Sequence, residues 1–164
     1  MDISESIKKI ESSIPDARRG LPEDVFLLIS QLTPLVNVDL LIKNEKGQTL
    51  LTWREDGFFH PGWHVPGGII RYKESFAERI QVVAANELGC GVKFGNEPLV
   101  FNECMIEEKK RGHFISFLYE CILCGSPDAK LEYRGDALKN GQWFWHDRCP
   151  DDLMEVHEIY RKYI

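Results

Sequence analysis

The 164-residue sequence has no apolar run approaching the ~20 residues that a membrane-spanning helix needs. It also lacks an excess of positive charge. Lys and Arg number 20 against 26 Asp and Glu, a net charge of −6, which argues against a general grip on nucleic acid. An acidic chain still binds phosphates where it brings a metal ion or local arginines. A second C-x-x-C is missing as well. Cys121 and Cys124 stand alone within "HFISFLYECILC", a strand-like run in which residues three apart face opposite ways. A four-ligand zinc site is therefore not expected, and buried thiols are. The N-terminus, "MDISESIKKIESSIPD", is acidic and polar rather than a secretory leader. With an odd count of five cysteines, this predicts a cytoplasmic protein with reduced thiols. Internal repeats and low-complexity segments are absent.

What is present divides into an N-terminal helical extension, residues 1–33, and a mixed domain, residues 34–164. Ile3, Ile7, Ile10 and Ile14 recur at helical spacing, and Pro15 ends that helix. Pro22 suits the first turn of a second helix, with Glu23 and Asp24 at its positive end. Two short helices with an apolar stripe need a surface, either the main domain or a second copy of the chain. The period then changes. "LVNVDLLI" places Val36, Val38, Leu40 and Ile42 on one face and Asn37, Asp39 and Leu41 on the other. "NEKGQ" reads as a hairpin turn and "TLLTWR" as the returning strand. A helix is expected near 75–88, strands near 97–106, 113–123 and 141–146, and a last helix capped by Asp151 or Asp152. The fold class is α/β (α+β).

The stretch "PGGIIRYKESFAERIQVVAANELGC" carries the chemistry. The glycine pair permits positive φ or a close approach of another group. On the following helix, Phe76, Ile80, Val83 and Ala84 form the inward stripe, and Glu87 continues it. A carboxylate there is partly removed from water and sits in the last turn, where the helix dipole disfavours it. Either an arginine partner or a metal offsets those costs. A hard oxygen ligand favours Mg²⁺ or Mn²⁺.

This stretch resembles a Nudix box, G-x5-E-x7-R-E-U-x-E-E-x-G-U. Gly68, Glu74, Glu87, Gly89 and Cys90 fit its fixed places. Val82 and Val83 stand where the box has its arginine–glutamate pair, and Asn86 replaces the first acid of the E-E pair. The resemblance implies an α/β/α sandwich with a mixed central sheet behind two short N-terminal helices. The lost acids imply fewer metal ions than usual. The chain is most similar in pattern to the GDP-mannose mannosyl hydrolase branch, through "VNVDLLI", "LLTWR" and "GWHVPGG". That branch uses one Mg²⁺ and cleaves a sugar C–O bond by inversion.

Carried over residue by residue, the resemblance implies Mg²⁺ ligation by Glu87 and the Gly67 carbonyl. Asp39 falls on a substrate-side aspartate and Arg54 on an arginine acting on the diphosphate. The branch's arginine after the glycines is Ile69 here, so Arg71, two residues on, is the expected electrostatic substitute. The branch's general-base histidine has no counterpart in "YRGDALKNGQ", which leaves Asp136 or Lys139 in that loop. Glu103, Glu107 or Glu108 are candidate extra metal ligands. "EEKKR" at 107–111 reads as a solvated hairpin tip, His157 as solvent-facing, and one of Trp143, Phe144 and Trp145 as a possible base-stacking ring.

The expected function is Mg²⁺-dependent hydrolysis of a nucleoside-diphosphate sugar or related diphosphate by a homodimer, without nucleic-acid or membrane partners. The alternatives are ordinary pyrophosphohydrolysis at phosphorus and a catalytically weak ligand-binding or sensor domain.

Overall fold

The computed structural model describes residues 2–107 and 110–164. The N-terminal extension holds α1 (Ile3–Ser12), a 3-10 turn (Ala17–Arg19) and α2 (Glu23–Ser30). The strands are β1 (Leu35–Ile42), β2 (Thr49–Arg54), β3 (Gly62–His64) and β4 (Gly67–Ile69), followed by α3 (Phe76–Leu88). Then come β5 (Val92–Phe94), β6 (Val100–Met105), β7 (His113–Leu123), β8 (Trp143–His146) and a 3-10 segment, Glu155–Tyr163.

Two sheets form. The larger is mixed, in the order β4-β1-β7-β5 with β6 also paired to β7; β1 and β7 run parallel. The smaller is antiparallel, β3-β2-β8. The expected hairpin between β1 and β2 is therefore corrected. The turn at Asn44–Gln48 forms, but only Lys43 and Thr49 bridge across it. Beyond that bridge the strands diverge into different sheets.

The alternation in β1 explains its placement. Val38, Leu40 and Ile42 are buried against Ile80, Val83, Ala84 and Leu88 of α3. On the other face Leu41 packs with Leu118, Leu153 and Tyr160, so the C-terminal segment covers that side. The mixed sheet thus lies between α3 and the C-terminal segment, the layering that the resemblance implied. Asn37 and Asp39 lie on the Leu41 face, where the packing leaves a cavity.

Helix α3 has sharp ends. The Ser75 side chain accepts from the Glu78 amide, and the Glu78 carboxylate accepts from Ser75 in return. Gly89 ends the helix in the left-handed region at φ 69°. The last expected helix is a 3-10 segment that starts at Glu155 and has no side-chain cap from Asp151 or Asp152. Among the described residues, no helix is long and apolar enough to cross a membrane.

Candidate active site

The cavity is about 290 Å³ and lies over the mixed sheet beside the α3 C-terminus. Its walls include Asp39, Arg54, His64, Gly67, Arg111 and His157. Glu87 reaches the same place from the last turn of α3. Its Oε2 accepts from the Thr52 hydroxyl at 2.8 Å, and its Oε1 accepts from the Gly67 amide at 3.3 Å. Arg54 stands 3.8 Å from Oε1 and His64 Nε2 3.4 Å from Oε2. Burial pushes the Glu87 carboxyl up, but His64, Arg54 and Thr52 outweigh it and hold it below the usual range. Glu87 is therefore ionised.

Register sets the Gly67 contribution. Asp39 faces Gly67 across β1 and β4, while the adjacent Leu40 amide donates to Pro66 at 2.8 Å. Antiparallel pairs alternate, so Asp39–Gly67 is a pair without mutual backbone bonds. The Gly67 amide and carbonyl both point away from β1, towards the side where Glu87 lies. Gly67 and Gly68 adopt no positive φ. Their need is close approach. A Cβ on Gly67 would run into the Asp39 carboxylate, and one on Gly68 would come within 2.9 Å of Val83 Cγ2. Val83 thus supports the glycine strand from the position where the Nudix box has an acid.

Asp39 is only 4% exposed. Tyr160 donates to its Oδ2 at 2.7 Å. Burial pushes its carboxyl up to about 7, against the hydrogen bonds of Tyr160 and Ser116 and the charge of Arg54.

Two histidines complete the back wall. His64 donates from Nδ1 to the Thr52 carbonyl at 2.6 Å. Burial, then Arg54, lowers its pKa, and the hydrogen bond and charge of Glu87 oppose them. His157 is buried, which corrects the solvent-facing expectation. The 3-10 segment turns it inward, its Nδ1 accepts from the Val65 amide at 3.3 Å, and burial holds it well below the usual histidine range. That bond leaves the proton on Nε2. Alternation along a regular helix could not place His157, because the segment is not α-helical.

Other expected residues lie elsewhere. Strand β4 ends at Ile69, and the Arg71 amide donates to Glu74 Oε2 at 2.9 Å in the turn that follows. Strand alternation therefore stops before Arg71, which lies beside Gly20 outside the cavity. Asp136 and Lys139 are not on the cavity wall; Asp136 is exposed in its loop. Glu103 pairs with His113 at 3.2 Å on the β6–β7 hairpin, Glu107 is exposed, and Glu108 lies outside the described residues. Glu74 pairs with Arg79 at 2.6 Å, so an arginine one turn before Val82 partners the first box acid. Trp143 is buried and donates to the Asp128 carbonyl at 2.9 Å. Cys121 is buried, with its thiol pushed up to about 12, and Cys124 is exposed beyond the strand end.

The donor set suits a hard cation shared with a ligand. Among the described residues no cluster of three or more His, Cys, Asp or Glu can hold a metal. The site offers one ionised carboxylate, Glu87, and the carbonyl of Gly67 on the same side. Mg²⁺ characteristically takes one or two protein oxygens and completes its shell with water and phosphate. The residues fit that mode. Metal binding is expected to be weak alone and strengthened by a nucleoside diphosphate. Calorimetric Mg²⁺ titration with and without ADP checks this; equal affinity in both would contradict it.

Comparisons with known proteins agree with this architecture. Over 107 residues the chain is 31% identical to the low-salt glycan biosynthesis protein Agl8 of Haloferax volcanii, covering 63% of this chain and 68% of that protein. A MutT Nudix hydrolase structure from Burkholderia pseudomallei superposes with a TM-score of 0.62 at 18% identity, covering 80% of this chain and 98% of that one. A UDP-X diphosphatase structure matches with a TM-score of 0.57 at 18% identity. It covers 96% of this chain, including most of residues 1–33, but the match spans only 66% of that longer chain. No family profile matches the chain. The structural likenesses show a Nudix fold, and the match to the Haloferax protein places the chain in that protein's family.

Proposed function

We propose that the protein is a Mg²⁺-dependent hydrolase of a nucleoside-diphosphate sugar, in the manner of the GDP-mannose mannosyl hydrolases. The observation that carries this reading is the cavity in which a single ionised box carboxylate, Glu87, meets Arg54 and a buried Asp39 near neutrality. Val82, Val83 and Asn86 offer no further carboxylate from the helix. Bound by Glu87 and the Gly67 carbonyl, Mg²⁺ would neutralise diphosphate charge.

Arg54 binds the diphosphate and stabilises the charge that builds on it as the glycosidic bond breaks. Asp39 takes the proton of the attacking water. A carboxyl titrating near 7 is matched to that task, and Tyr160 and Ser116 hold it in place. The neutral His157 presents its Nε2–H as a donor to substrate oxygen. In this role Asp39 replaces the base expected from Asp136. Water adds to the sugar carbon, the C–O bond breaks, and the nucleoside diphosphate leaves.

The test is a panel of nucleotide sugars with Mg²⁺ in ¹⁸O-water. Label on the free sugar is expected. Label on phosphate, with a nucleoside monophosphate as product, would establish pyrophosphohydrolysis instead, a reading the likeness to a UDP-X diphosphatase favours. Metal-dependent binding without turnover would establish the sensor reading.

We also propose a homodimer built on the extension. α1 buries none of its residues within the chain, and Ile3 and Ile7 are 75% and 49% exposed along its apolar stripe. Sedimentation should show a dimer that removal of residues 1–33 turns monomeric. A truncated protein that stays dimeric would rule this out.

A further inference from the structure

Arg111 was expected on a solvated hairpin tip, and the structure places it elsewhere. Its guanidinium carbon lies 4.4 Å from the centre of the Phe58 ring and 4.9 Å from that of Phe26. Phe58 comes from the β2–β3 loop, and Phe26 from α2 of the N-terminal extension. Arg111 lines the same cavity as Arg54. Its Nε is buried and donates to no acceptor among the described residues.

Burial lowers the Arg111 pKa, Asp56 opposes this, and Arg54 is close enough to repel it. Two guanidinium groups therefore face one cavity of about 290 Å³. Glu87 approaches Arg54 only to 3.8 Å, and Asp56, which also lines the cavity, accepts at Oδ1 from the Phe58 amide. Like charges held together in a partly dry site are costly unless an anion bridges them. Aromatic faces hold a guanidinium while its edge stays free to donate.

We propose that Arg111 is the second arginine of the diphosphate site, held in place by Phe26 and Phe58. This rests on the reading of the cavity as a diphosphate site and extends it to a residue and an element outside the Nudix box. Arg54 and Arg111 bracket the two phosphoryl groups, and the buried Nε of Arg111 donates to a phosphate oxygen. The N-terminal extension is then part of the substrate site in its own chain, because Phe26 supplies one face of the clamp.

The experiment is calorimetric titration of the full-length protein with inorganic pyrophosphate in the presence of Mg²⁺. It needs no turnover, so it fails separately from the proposed reaction. R111K keeps the charge but loses the planar fork, and R111M keeps the stem. Each is expected to weaken binding about tenfold or more. F26L keeps apolar volume without a ring face and is expected to weaken binding severalfold. R71A, outside the cavity, serves as the control and should bind as the parent does. Circular dichroism melts establish that each variant folds. Unchanged pyrophosphate affinity in folded R111K and R111M would overturn the proposal, as would a parent protein that does not bind pyrophosphate. Equal losses in R71A and R111M would also overturn it, since they would reduce the effect to net charge.

Discussion

Replacing Glu87 with glutamine is expected to lower kcat by roughly 10³-fold while the protein stays folded. The change swaps a carboxylate for an amide of nearly the same shape. The Gly67 amide, which donates at 3.3 Å, still finds the amide oxygen, and the Thr52 hydroxyl, which donates at 2.8 Å, can turn to accept from the amide nitrogen. What disappears is the one negative charge the box helix brings to the cavity. Metal stabilisation of developing charge supplies several kcal/mol, and each ~1.4 kcal/mol is tenfold in rate. An ordinary Nudix site with several acids would lose less from any single one. Folding is not expected to suffer, because the carboxylate is costly to bury and its neighbours Arg54 and His64 approach no closer than 3.4 Å. Steady-state kinetics with Mg²⁺ and a thermal melt decide the matter. Full Mg²⁺-dependent turnover in a folded E87Q protein would remove Glu87 from the mechanism.

Asp39→Asn is expected to do two things at once. It should cut kcat by about 10²–10⁴-fold if Asp39 is the base, and it should change how stability depends on pH. Burial pushes the folded Asp39 carboxyl up to about 7, against 3.8 for an ordinary aspartate. Between those values the unfolded chain has released its proton and the folded chain still holds it. Stability from this group is thus complete below about pH 4 and is lost as pH rises through 7.

Buried His64 and His157, whose pKa values lie below the ordinary histidine value, act in the opposite direction. Their lowered values add stability as pH rises towards 6.5. The quantity to measure is therefore the difference between parent and D39N, in metal-free protein, by urea unfolding at pH 4 and pH 8. The two should be close at pH 4, and D39N should be the more stable at pH 8. A constant difference across that range would show that Asp39 ionises normally. Unchanged kcat would show that another group takes the proton.

Much of the site was legible in residue spacing. Ile80, Val83 and Ala84 of the expected α3 stripe are buried and Gly89 stops the helix at positive φ, whereas Phe76 in the first turn is exposed. Alternation in β1 correctly separated Val38, Leu40 and Ile42 from Asn37 and Asp39. Local pattern could also assign Glu87 an unfavourable position that needed a cation. It failed where the chain leaves regular structure. Arg71 lies past the end of β4, so extrapolated alternation misplaced it. His157 lies on a 3-10 turn whose inward face has no 3.6-residue period. The β1–β2 turn was identified, but the strands part because each finds better apolar cover in a different sheet.

The sequence by itself determined the mixed α and β class, the box helix and its surviving carboxylate. It also determined the absence of the other box acids. These are local properties, set by period, capping and residue type within some twenty positions. Only the tertiary structure decided that Asp39 is buried under Tyr160, that His157 faces the cavity, and that Arg111 stands between Phe26 and Phe58. Tyr160 and Asp39 are 121 positions apart, and Arg111 and Phe26 come from opposite sides of the mixed domain's first strands. Burial and ring contact raise or lower a charge according to what the rest of the chain brings beside it, and no local pattern records those neighbours.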